Sequence, residues 1–184
     1  MKEISLFILD IAGNSLRARA RNITLLIEET DDRLTFSVTD DGCGMDEAFL
    51  ARVTDPFSTT RTTRKVGLGI PFLKMQAELT GGSFSIRSKS EKEHDDHGTT
   101  TTATFVKTSI DAVPLGDIVD TVCTFVHSLG NIELTYIHRY PGGEVRLATP
   151  DLREVLGEDI PLSNPDVLMW IRQYLTESYV GYPY

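Results

Sequence analysis

Residues 39–45 read Thr39-Asp40-Asp41-Gly42-Cys43-Gly44-Met45 and close an alternating run, Arg33–Thr39. Two readings of this stretch are open. A carboxylate at the end of a strand can accept a hydrogen bond from an exocyclic amine, while Gly42 and Gly44 let backbone approach a flat ring closely. Asp-Gly after an alternating strand is also a common hairpin signal. The flanking sequence decides between them.

Towards the N-terminus, Ile23–Glu28 and Arg33–Thr39 alternate around the polar Glu29–Asp32, which predicts an antiparallel hairpin. Residues 4–21 precede it and carry a helical pattern, with Ile4, Phe7, Ile8, Ile11 and Ala18 on one side. Asp10, Asn14, Arg17 and Arg21 form a second stripe, spread over about 60° at 3.6 residues per turn. An amide oxygen such as that of Asn14 is a good ligand for a hard cation. Asp10 can orient or deprotonate a water, and Arg17 and Arg21 can meet phosphate charge. A polar face turned to solvent explains the same stripe equally well.

Towards the C-terminus, Asp46 predicts the N-cap of a short helix, Glu47–Val53. Thr54–Val66 is polar and without period, hence a loop. Val66-Gly67-Leu68-Gly69-Ile70 then opens a helix running to about Leu79, with Pro71 in its first turn and Gly81-Gly82 as its stop. Free N–H groups at such a start form an anion site. No GxxxxGK[ST] occurs, and neither glycine pair has the third glycine of a dinucleotide fingerprint. Two more strands, Ser83–Ser88 and Thr100–Lys107, flank the charged loop Ser90–Gly98.

The order of these boxes is more specific than any one of them. Asp10-x₃-Asn14, Asp40-x-Gly42-x-Gly44-Met45, a Phe-Ser-Thr-Thr loop, Gly67-Leu68-Gly69-Ile70 and Gly98-Thr99-Thr100 follow one another over residues 4–107. The series resembles the motif order of the GHKL superfamily, the gyrase, heat-shock chaperone, histidine kinase and MutL ATPases. The resemblance implies an α+β two-layer sandwich of the Bergerat type, with a mixed, mainly antiparallel sheet and helices on one face. It implies ATP and Mg²⁺ as cofactors. Asn14 would be the Mg²⁺ ligand, and Asp40 would bind the adenine amine with Thr99 helping through a water. Gly42, Gly44 and Met45 would line the base and ribose. Phe57 to Lys65 would form the ATP lid, with Arg61 or Lys65 near the phosphates. Gly67, Leu68, Gly69 and Ile70 would hold the phosphates, with Arg17 nearby, and Asp10 would be the catalytic base. Asp10 stands where hydrolytic members carry Glu, so a shorter side chain must reach the water. Pro71 removes a backbone donor where the family has a small residue. No paired helices with a phospho-accepting histidine precede the first box, so the chain resembles the free-standing small ATPases, among them the anti-sigma-factor serine kinases. The expected activity is therefore that of a protein kinase or slow ATPase in regulation.

Residues 109–184 form the second expected part, after an ATP-binding part over 1–108. A helix (about Leu115–Leu129), strands Glu133–Arg139 and Glu144–Leu147, and a helix about Pro165–Thr176 capped by Asn164 make it a small α+β unit packing on the first. Of the net charge of −9, residues 1–107 carry −2 (14 basic, 16 acidic) and residues 108–184 carry −7 (4 basic, 11 acidic). Such a surface excludes nucleic acid as the expected partner and suits a solvated face or a protein partner. A homodimer is a further expectation. The whole chain also resembles small GHKL-type proteins associated with multi-subunit iron hydrogenases. That resemblance implies the alternative function, a non-catalytic nucleotide-switched subunit of a larger complex. No apolar run reaches the ~20 residues of a membrane span. Cys43 and Cys123 match no metal spacing or disulfide framework, which makes the cytoplasm the expected compartment. His94-Asp95-Asp96-His97 reads as a solvated turn, His127 and His138 as structural residues, and Trp170 as core or interface. With the pocket in place, the Cys43 thiol would abut the adenine.

Overall fold

Alternation puts Ile23, Leu25 and Ile27 on the inner face of β1 (Asn22–Glu29), and Leu34, Phe36 and Val38 on that of β2 (Arg33–Asp40). The computed structural model describes residues 2–54, 69–157 and 159–182. The remaining described elements are α1 (Ile4–Arg17), α2 (Glu47–Val53), α3 (Gly69–Leu79), β3 (Ser83–Lys89), β4 (Gly98–Val106), α4 (Ile118–Ser128), β5 (Glu133–Tyr140), β6 (Gly143–Ala148), α5 (Thr149–Leu156) and α6 (Pro165–Ser178).

The strands form one sheet in the order β3-β4-β2-β1-β5-β6. Every pairing is antiparallel except β1 with β5, which is parallel, so residues 133–148 continue the sheet begun by residues 22–40. The inner rows add Thr101, Ala103 and Phe105 on β4 and Leu134, Tyr136 and His138 on β5, all buried. Helices cover that face: α1 packs against α3 and α4, α4 against α6, and α3 lies on β3 and β4. The other face is polar, with Thr35 bonded to Thr104 at 2.9 Å and Thr39 to Thr100 at 3.2 Å. This is the expected mixed, mainly antiparallel two-layer fold.

Asp41-Gly42 is not a hairpin turn. Both neighbours of β2, β1 and β4, are already paired along its length, and the chain after Asp40 runs into α2. The helix expected over 4–21 stops at Arg17, and Arg19 takes a positive φ of 60°. The reason is tertiary. The Asp41 carboxylate accepts from Arg21 N–H (2.7 Å), Asn22 N–H (2.9 Å) and the Asn22 side-chain amide (2.8 Å), holding the chain at Arg21 clear of the helix, where β1 begins at Asn22. Arg21 therefore leaves the stripe of Asp10, Asn14 and Arg17. At the other end, Pro114 and Leu115 carbonyls accept from Ile4 N–H (3.0 Å) and Ser5 N–H (2.8 Å), so they cap α1 instead of starting α4. Asp117 caps α4 by accepting from Asp120 N–H at 2.7 Å. Helix α5 has no counterpart in the sequence reading. The caps at Asp46 and Asn164 form as expected.

Candidate functional site

The inner rows of β2, β4 and β3 end in polar side chains at the same level. Asp40 lies opposite Thr99, and Thr99 opposite Ser88. Beyond them the helical layer stops short, leaving a cleft of about 820 Å³ bounded by α1, the start of α3 and the β3–β4 connection. This volume is within the range of small-molecule sites.

Asp40 is held from two sides. Ser15 Oγ, buried on α1, donates to Oδ2 at 2.6 Å, and Gly42 N–H donates to Oδ1 at 2.9 Å. Each carboxylate oxygen retains acceptor capacity towards the cleft. Asp41 differs from it. Burial works against its ionisation, but the donors from Asn22 and Arg21 prevail and hold its carboxyl below the ordinary range. Asp41 is therefore spent on the backbone turn.

Of the residues picked from the sequence, Asn14 and Arg17 of α1, Asp40, and Gly44-Met45 all line the cleft. Ile70 of α3 and Thr99 of β4 join them. Arg17 Nη2 donates to Asn14 Oδ1, so the amide oxygen points where a guanidinium can reach it. Gly42 is buried behind the wall, where an added Cβ would meet the Ala18 Cβ at 2.7 Å. Gly44 has φ of 63°, and a Cβ there would lie 1.8 Å from the Lys89 carbonyl oxygen. Both glycines are thus required by protein packing in addition to any close approach of a ring. Asp10 does not line the cleft. Its Oδ2 lies where a Cβ on Gly69 would come within 1.6 Å, so the first helix and the start of α3 touch through this pair. Phe57, Arg61, Lys65, Gly67 and Leu68 lie outside the described residues.

Two serines bonded to Asp40 or Thr99 escaped the sequence reading. Ser15 is one. Ser88 is the other: its Oγ accepts from Met45 N–H (2.8 Å), donates to the Gly98 carbonyl (3.0 Å) and lies 2.8 Å from Thr99 Oγ1. Strand parity was the available signal, since Ser88 continues the inner row of Phe84 and Ile86. Cys43 lines the same cleft. Of the His94–His97 segment, Asp96 pairs with Lys89, and His97 Nδ1 lies 2.6 Å from the Gly42 carbonyl. Among the described residues no group of three or more His, Cys, Asp and Glu could hold a metal ion.

Comparison with known proteins bears on the family and the fold. A search of curated proteins returned no match. Among solved structures, the crystal structure of the N-terminal domain of a DNA repair protein superposes with a TM-score of 0.56 at 12% identity, covering 80% of this chain and 52% of that one. This chain thus spans about half the length of that domain. The Aquifex aeolicus MutL ATPase domain complexed with ADP superposes with a TM-score of 0.55 at 13% identity, covering 85% of this chain and 69% of that one. At such identities the likeness is one of fold. None of the described helices is long and apolar enough to cross a membrane. The model of the histidine kinase-, DNA gyrase B- and HSP90-like ATPases matches residues 2–109, the span that holds every cleft-lining residue named above. The chain belongs to that GHKL family of ATPase domains, a membership that supports ATP binding.

Proposed function

We propose that the cleft binds ATP with Mg²⁺ and that the chain works as a protein kinase or slow ATPase in regulation. One observation carries the reading: an oriented carboxylate, Asp40, shares a cleft with the amide oxygen of Asn14 in an ATPase-family chain. Asp40 would accept from the adenine amine, and Thr99 would assist through a water. Asn14 would hold the cation, whose chemistry is to bridge phosphates and neutralise their charge. Arg17 would leave Asn14 for the phosphates, and the start of α3 would offer them its free N–H groups. Asp10 would orient the attacking water or the hydroxyl of a protein acceptor. Residues 109–184 would dock a protein partner through their acidic surface, in the cytoplasm.

Calorimetry with ATP, ADP and GTP, with and without Mg²⁺, tests the binding step. Magnesium-dependent ATP binding with poor GTP binding is expected. An absence of heat with every nucleotide would end the proposal.

A second reading keeps the pocket without the chemistry, as a nucleotide-switched subunit of a larger complex such as a redox enzyme. The observation favouring it is the position of Asp10, packed on Gly69 and one carbon shorter than Glu. Asp10→Asn separates the two. Loss of phosphate release with ATP affinity retained supports the enzyme, whereas unchanged residual release with affinity retained supports the switch.

A further inference from the structure

The β3–β4 connection grips the segment that carries the cleft's recognition carboxylate. Glu91 N–H donates to the Cys43 carbonyl at 2.9 Å, and Ser88 Oγ accepts from Met45 N–H at 2.8 Å. The Lys89 carbonyl packs against Gly44, and Gly98 packs so closely on the Asp40 carbonyl that a Cβ there would lie 2.0 Å from it. Between these contacts, His97 Nδ1 lies 2.6 Å from the Gly42 carbonyl oxygen. A carbonyl only accepts, so Nδ1 carries the proton. The same glycine's N–H donates to Asp40 Oδ1 at 2.9 Å. Gly42 is therefore fixed at both ends, its oxygen by His97 and its nitrogen by Asp40.

We propose that His97 is a positioning residue for base recognition, acting through the backbone on both sides of Gly42 to aim the Asp40 carboxylate into the cleft. The inference rests on the nucleotide reading above and adds to it a residue outside the five sequence boxes. His97 is half-buried, is not among the residues lining the cleft, and belongs to a segment whose other members, His94, Asp95 and Asp96, are exposed. Its imidazole fixes the Gly42–Cys43 peptide, whose N–H donates to the Ala18 carbonyl at 2.9 Å, and so sets one side of the Gly42 Cα. Were Gly42 to turn about its φ and ψ bonds, the N–H of the preceding Asp41–Gly42 peptide would leave Asp40 Oδ1, and the carboxylate would be held by Ser15 alone. A carboxylate with one fixed oxygen swings about that contact, and the geometry towards an exocyclic amine is lost.

The test uses the full chain, His97→Ala and His97→Asn, with ATP and with purine riboside triphosphate, which lacks the 6-amino group. In asparagine the amide nitrogen is as many bonds from the backbone as Nδ1, so it can donate to the same carbonyl. His97→Ala should weaken ATP binding about three- to tenfold, the range for one hydrogen bond. It should leave binding of the amine-free nucleotide unchanged, and His97→Asn should restore wild-type preference for ATP. Equal weakening for both nucleotides would reduce His97 to a structural residue and overturn the inference. So would unchanged ATP affinity in His97→Ala. A wild-type chain that binds neither nucleotide would overturn the nucleotide reading itself, and the role of His97 with it.

Discussion

The two ends of the sheet carry the same motif with opposite outcomes. At one end the inner row of β2 runs Leu34, Phe36, Val38 and terminates in Asp40. At the other the inner row of β1 runs Ile23, Leu25, Ile27 and terminates in Glu29. Glu29 is closed over. His138 Nε2 lies 3.0 Å from its Oε1, Lys107 Nζ donates to Oε2 at 2.8 Å, and Tyr182 donates its hydroxyl to Oε1. Tyr179 in turn bonds His138 Nδ1 at 2.7 Å and the Tyr136 hydroxyl, which leaves the Glu29 side chain 5% exposed. Asp40 receives two donors and then faces an open cleft of about 820 Å³. A carboxylate satisfied on all sides by its own chain holds the fold together. One oriented by the chain but left with free lone pairs is available to a ligand.

Experiment can test that contrast at both ends. Glu29→Ala has the largest expected effect, about 3–5 kcal/mol of stability in urea unfolding, because it strands the buried His138 without its acceptor. A loss below ~1 kcal/mol would place Glu29 among ordinary surface acids. Acid should reproduce part of the same loss. Burial opposes ionisation of Glu29, but the hydrogen bonds from His138, Lys107 and Tyr182 outweigh it and lower its pKa from 4.5 to about 2. Its contribution is therefore fully present above pH 4.5 and is lost as pH falls through about 2. Unfolding curves collected across that window should show a decline that Glu29→Gln flattens.

At the other end, Asp40→Asn should cost ATP roughly ten- to hundredfold in affinity, the range for a charged hydrogen bond, with a smaller change in stability than Glu29→Ala. The reverse ranking would make Asp40 the structural carboxylate and undo the distinction. The smallest effect concerns Cys43, half-buried on the cleft wall. Saturating ATP should slow its alkylation severalfold while leaving buried Cys123 as unreactive as before. Identical Cys43 labelling with and without ATP would move the nucleotide away from that wall.

Much of this was legible locally. Alternation located β1 and β2, the residue pattern placed strands at β3, β4, β5 and β6, and glycine, proline and capping residues located most helix ends, because these signals depend on neighbours in the chain. The ordered boxes pointed to one family and to Asn14, Asp40 and Thr99 as companions. What could not be read were meetings between distant segments. The parallel pairing of β1 with β5 joins Asn22 to Glu133, and no local period encodes a partner so remote. The stop of α1 at Arg17 depends on the Asp41 carboxylate arriving from the far end of β2. His138 read as an isolated histidine because Glu29 and Tyr179 reach it from two other segments.

Strand alternation, the caps and the family are written in residues that lie close together or in fixed order, so the amino-acid order alone carries them. Which carboxylates are spent and which are free is settled by the folded chain. Asp40, Asp41 and Glu29 are chemically alike as letters. Their roles differ because hydrogen-bond donors from remote elements saturate two of them and leave the third facing a cleft.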